Sequence, residues 1–255
     1  MFPLRDNIPT NRFPAVTVAF IVLNVLVYFF WQKGGITLGS PSSADYVCNL
    51  YDYAAIPKEL TDPGTQVGLQ QCGPPADVSP YLTAFTAMFM HGGLLHLGGN
   101  MLFLWIFGNN VEDSMGRVKY VAFYLLGGVA ALLLQVLINP SSTVPTIGAS
   151  GAIAAVLGGY LLLFPGARVL TVIFIIFFFT LIEIPAVFVL GFWFVQQVLF
   201  GYFDLTHPSG EGGGVAYFAH IGGFAFGLLT IKLWADRRRT EAQAPGPRPR
   251  DPWVR

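Results

Sequence analysis

The chain has 255 residues, of which 54% are hydrophobic and 11% charged, and its formal net charge is zero. With a clearly positive mean hydropathy, this composition excludes an ordinary soluble globular protein and points to a polytopic membrane protein. The balanced charge offers no electrostatic case for nucleic acid as a partner.

Residues 1–13 place Arg5 and Arg12 ahead of an apolar run from Pro14 to Trp31. That run exceeds the ~7–15 residues of a signal-peptide core, and no small-x-small cleavage site follows before Lys33. It reads as an uncleaved signal anchor with its N-terminus in the cytoplasm. A polar outer segment, residues 34–80, holds both cysteines, Cys48 and Cys72. A second span is expected from Thr83 to Asn110, closed by Glu112, Asp113, Arg117 and Lys119. The third is Tyr120–Ile138, and the fourth runs from Gly148-Ala149-Ser150-Gly151 to Phe164-Pro165-Gly166. A helix needs ~20 apolar residues to cross ~30 Å of hydrocarbon.

Apolar sequence continues from Val169 to Phe203, which as one helix would measure ~52 Å. That is too long for one span and too short for two with a turn. Glu183 and Pro185 interrupt it, and proline suits a first helical turn. The fifth span is therefore expected to start near Ile184, with Val169–Ile182 along the inner interface. The sixth is Val215–Trp234, before Arg237-Arg238-Arg239. The tail, residues 237–255, is rich in Arg, Pro and Gly and is expected to be a disordered, basic cytoplasmic segment. The sum is an all-α membrane protein, a six-transmembrane-helix bundle over residues 14–236 with both termini cytoplasmic. Among the Lys and Arg residues only Lys33 and Lys58 then fall outside, as the positive-inside rule asks. Cys48 and Cys72 would face the oxidising side in a bacterium. A disulfide between them is one expectation, two free thiols the other.

Three polar residues land at one depth. Asn100 lies seventeen residues before Arg117, Ser150 eighteen before Arg168 and His220 seventeen before Arg237. At ~1.5 Å per residue all three sit ~25–27 Å above the inner boundary. Polar groups inside a membrane are costly and commonly functional. His96 and Asn100, four apart, share a helix face. Ser150 opens its helix, where free N–H groups and the positive dipole end are available, so Ser150 N–H, His96 and Asn100 can together hold a developing oxyanion. Ser150, Ala154 and Gly158 on the fourth span, with Gly223 and Gly227 after His220, make small-xxx-small packing. That packing would let His220 act as general base toward Ser150. No Asp or Glu accompanies them, so the pair reads as a dyad.

His91 reads as structural and His207 as a loop residue, while the Phe and Trp residues of the fifth span are expected to face lipid or anchor at the interface. A zinc site from His91, His96 and His220 would lack any Cys or carboxylate; no metal and no cofactor is expected. The loop Phe203–Gly214, rich in glycine, is expected to be a mobile lid.

The motifs His91-x4-His96-x3-Asn100, Gly148-x-Ser150-Gly151 and Ala219-His220-x2-Gly223-x3-Gly227 resemble those of rhomboid intramembrane serine proteases, in the same order and on the same spans. Glu112 and Gly116 also match that family's pattern. The resemblance implies that Ser150 is the nucleophile, His220 the base, and His96, Asn100 and the Ser150 backbone the oxyanion hole, with His91, Gly148, Gly151, Gly223, Gly227 and Glu112 supporting them. It implies cleavage of transmembrane or juxtamembrane segments of other membrane proteins within the lipid bilayer. Two positions depart. Leu82 and Thr83 stand where well-known members carry Trp-Arg, and Ala154 stands where many carry a Tyr stacked on the catalytic histidine. A catalytically silent rhomboid-like binding or escort protein is the alternative, and the intact Ser150–His220 pair argues against it. A transporter would favour internal repeats, and none is visible. The short chain and its Arg-rich tail suggest a prokaryotic plasma membrane; oligomeric state is left open.

Overall fold

The structure, a computed structural model, describes residues 2–62, 64–175, 178–207 and 215–243. In chain order it forms β1 (Phe2–Asp6), α1 (Ala15–Leu26), α2 (Ala44–Tyr53), α3 (Pro57–Thr61), α4 (Pro80–Thr86), α5 (Leu94–Phe103) and α6 (Asn109–Met115). Then follow α7 (Arg117–Ile138), α8 (Ser150–Leu163), β2 (Arg168–Ile175), β3 (Phe178–Pro185), α9 (Ala186–Thr206), α10 (Tyr217–Trp234) and α11 (Arg237–Ala242). One π-helical turn, Val27–Trp31, extends α1, and another, Leu104–Gly108, joins α5 to α6. By length and composition, α7 and α9 can each cross a membrane; α8 and the extended α1 are apolar but shorter.

The expected second span is not one helix. After α4 and a 3₁₀ turn at Ala87–Phe89, the backbone leaves helical geometry until α5 begins at Leu94. The cause lies far away in sequence. The Gln32 side chain pairs with the His91 backbone in both directions: Nε2 donates to the carbonyl at 2.8 Å, and Oε1 accepts from the N–H at 2.9 Å. The Tyr46 hydroxyl donates to the same carbonyl at 3.1 Å. Irregular backbone can lie buried here because its polar groups are satisfied by side chains.

A second correction concerns the stretch after α8. It is a β-hairpin, a conformation not expected from the sequence, and the fold is predominantly helical rather than all-α. The strands β2 and β3 pair antiparallel, and β1 adds antiparallel to β2, giving the order β1-β2-β3. Val169, Thr171, Val172 and Ile173 are β-branched, which stiffens them for extended geometry, and Val169 and Thr171 are fully buried on one face. Asn7 ties β1 in place: its N–H donates to Arg168 O at 3.0 Å and its Oδ1 accepts from Arg168 N at 2.7 Å. The Tyr160 hydroxyl of α8 donates to Asp6, and burial pushes the Asp6 carboxyl up to about 6 against that hydrogen bond. Pro185 ends β3, and α9 starts at the next residue, close to the expected start of the fifth span.

The tail differs as well. Arg237–Ala242 is helical, with Asp236 accepting from the N–H groups of Arg238 and Arg239 at 2.9 and 3.4 Å, a side-chain N-cap. The start of the tail is therefore ordered rather than disordered, and residues 244–255 lie outside the described part. So do residues 208–214, which carry most of the expected lid.

The core is built where α10 packs on α8 and α7. A Cβ at Gly223 would stand 2.0 Å from Gly151 O, and one at Gly227 would stand 1.9 Å from Ala155 O. Only glycine permits two backbones this close, and the contact fixes α10 against α8. In the segment between α1 and α4, Cys48 on α2 and Cys72 are joined by a disulfide. At the opposite end Glu112 accepts hydrogen bonds from Val16 N (3.0 Å), Thr17 N (2.8 Å) and Thr17 Oγ1 (2.8 Å). The two N–H groups are orphan donors of the first turn of α1. Glu112→Ala is expected to lower stability by about 3 kcal/mol, because buried donors lose a charged acceptor. Thermal unfolding of the purified variant in detergent checks this, and an unchanged transition temperature would contradict it.

Candidate active site

Ser150 is the first residue of α8, so its backbone N–H has no partner within the helix. Gly148, two residues earlier, has φ +120°, a conformation that only glycine adopts freely. This turn brings Ser150 to a pocket that it lines together with Gly128, Ala131, Gly151 and Ala219. His220, in the first turn of α10, points its Nε2 at Ser150 Oγ, 2.8 Å away. The distance follows from the glycine contacts, since α10 could not come so near with a larger residue at 223 or 227. Gln135 of α7 accepts from Ala219 N at 3.2 Å and so holds the start of α10.

On the other side of Ser150 stands His96. Its Nδ1 accepts from Gly92 N at 3.1 Å, so a neutral ring carries its proton on Nε2. That Nε2 faces the gap over Gly148: a Cβ built on Gly148 would lie 2.9 Å from His96 Nε2 and 3.4 Å from Ser150 Oγ. Asn100, one turn along α5, is 8% exposed, and its Nδ2 has no hydrogen-bond partner among the described residues. The His96 ring and the N-terminal N–H of α8 therefore both lie near the Ser150 hydroxyl. His91 stays behind this front. It is fully buried, its ring lies edge-on to His96 at 5.1 Å, and its backbone is the part that is bonded.

Two further residues complete the surroundings of His220. Gln197 on α9 places Oε1 2.7 Å from His220 Nδ1, while its Nε2 donates to Trp193 O at 3.1 Å. The Trp193 ring packs on the imidazole with centroids 5.6 Å apart and planes inclined by 37°.

Residues 79–237 match the family model described as Rhomboid domain. The chain belongs to the rhomboid family. Among relatives, it is 29% identical to Rhomboid protein 1, mitochondrial, of Saccharomyces cerevisiae, over 66% of this chain and 47% of that one. It is 26% identical to Presenilin-associated rhomboid-like protein A, mitochondrial, of Danio rerio, over 68% of this chain and 46% of that one. Rhomboid protease GluP of Bacillus subtilis is 28% identical over 59% of this chain and 25% of its own length. The chain thus spans half or less of the length of these rhomboids. Rhomboids are integral membrane proteins. The expectation of a prokaryotic plasma membrane is not borne out by relatives whose names are largely mitochondrial.

Seen as a rhomboid, the chain handles its missing tyrosine in a definite way. Ala154 is fully buried, and its Cβ would lie 3.2 Å from a Cβ on Gly223. A large ring there would collide with α10. The aromatic neighbour of His220 comes from α9 instead, as Trp193. The expectation that the aromatic residues of the fifth span only meet lipid is corrected for Trp193 and Phe194, which pack on the core; Phe194 stacks on Phe224 at 4.4 Å. A sequence signal for Gln197 existed: it is a polar side chain in an apolar helix, on the stripe Ala186, Leu190, Gln197, Gly201 that α9 buries.

Proposed function

We propose that this rhomboid is an intramembrane serine endopeptidase that cleaves transmembrane or juxtamembrane segments of other membrane proteins. The observation that carries the reading is the 2.8 Å contact between His220 Nε2 and Ser150 Oγ, nucleophile and base within reach. Six spans over residues 14–236, with both termini on the cytoplasmic side, belong to the same proposal.

The chemistry follows from the geometry. Ser150 Oγ attacks the scissile carbonyl carbon while His220 Nε2 takes its proton. The oxygen of that carbonyl gains negative charge, for which this reading makes His96 Nε2–H, Asn100 Nδ2–H and the Ser150 N–H the stabilising donors. Collapse of the tetrahedral intermediate expels the amine, which takes the proton from His220, and leaves an acyl-Ser150 ester. Water then attacks the ester with His220 again as base, releasing the carboxylate and restoring Ser150.

The reading is tested by hydrolysis of a labelled transmembrane peptide by the purified chain in liposomes. If Asn100 supplies an oxyanion donor, Asn100→Ala is expected to lower kcat by about 100-fold with KM little changed. A loss confined to KM would make Asn100 a substrate-binding residue instead.

A further inference from the structure

The contacts of Gln197 set its orientation. Its amide nitrogen must face a carbonyl, and Trp193 O, 3.1 Å away, is that carbonyl. The amide oxygen is then the atom turned to His220 Nδ1, 2.7 Å away. An oxygen at that distance requires Nδ1 to carry the proton. In the neutral ring the other nitrogen, Nε2, then holds the lone pair, and Nε2 is the atom facing Ser150 Oγ. The chain of donors and acceptors runs Gln197, His220, Ser150 with every role assigned. Gln197 is also buried, 7% exposed, so water competes little for its amide oxygen.

We propose that Gln197 is a positioning residue for the Ser150–His220 pair, a neutral third member that fixes the imidazole in its base tautomer and in its direction. The proposal rests on the protease reading above. It also ties the pair to α9. The face α9 turns to α10 includes Trp193, Phe194, Gln197 and Gly201. Trp193 steadies the ring from its flank and Gln197 from its edge.

The test compares three forms of the full chain in liposomes: the wild type, Gln197→Leu and Gln197→Glu. Leu keeps the bulk and loses the acceptor. A protonated Glu keeps a carbonyl oxygen for Nδ1 and a hydroxyl for Trp193 O. If Gln197 positions His220, Leu should cost about 10–100-fold in kcat with KM within a few-fold, less than the ~10⁴-fold upper range for losing a general base. Glu should retain several-fold more activity than Leu. If Gln197 only fills space, the order reverses, because Leu suits an apolar interface and Glu does not; that order, or a loss confined to KM, overturns the proposal. Should Leu fail to fold, Gln197→Met takes its place, and a folded Met variant with wild-type kcat overturns the proposal equally. The protease reading fails separately: hydrolysis that survives Ser150→Ala in the same liposomes would remove the dyad and the role of Gln197 with it.

Discussion

Ser150→Ala is expected to end hydrolysis of a transmembrane substrate, by at least ~10⁴-fold, while the protein still folds and enters membranes. The substitution removes one hydroxyl from the first turn of a helix whose packing is made by backbone and small side chains. Alanine is at least as good a helix former as serine, and the close backbone approach of α10 to α8 is made at Gly151 O and Ala155 O, which the substitution leaves in place. Stability should stay near that of the wild type, so loss of activity reports on chemistry. Purified variant and wild type are compared by substrate cleavage and by thermal unfolding. Cleavage at wild-type rate in the variant would remove Ser150 from the mechanism.

His220→Ala should be as inactive as Ser150→Ala, and the double variant no worse than either. Nucleophile and base act as one unit, so removing the second after the first has nothing left to remove. The prediction is sharp because His220 reaches Ser150 directly, at 2.8 Å. The three variants are compared by single-turnover cleavage over long incubation. Losses that multiply would show two independent contributions, which the hydrogen-bonded pair does not allow.

How much of this was legible in the sequence depends on where each residue finds its partners. Ser150, His220, His96 and Asn100 stood out because a polar side chain inside an apolar helix is costly, and equal spacing to basic residues put three of them at one level. The glycines after His220 were readable as a close helix contact, and the distances at Gly223 and Gly227 bear out that reading. Gln197 carries the same polar signal but no legible partner, because the register of the fifth span against the sixth cannot be read from either alone. The sheet is hidden in the sequence for another reason. A continuous apolar run such as Val169–Ile182 has no period by which strand and helix can be told apart. Its strand partners also include residues at the far N-terminus, such as Phe2 against Val172. The break before α5 was equally hidden, since Gln32 makes it from 59 residues away.

The central claim, that Ser150 is a nucleophile activated by His220, is tested most directly by a fluorophosphonate probe on the purified full chain. The adduct is mapped by mass spectrometry of its peptides. The account predicts one modified residue, Ser150, with labelling lost in Ser150→Ala and strongly slowed in His220→Ala. Modification at another serine, or labelling of Ser150 at an unchanged rate in His220→Ala, would contradict it.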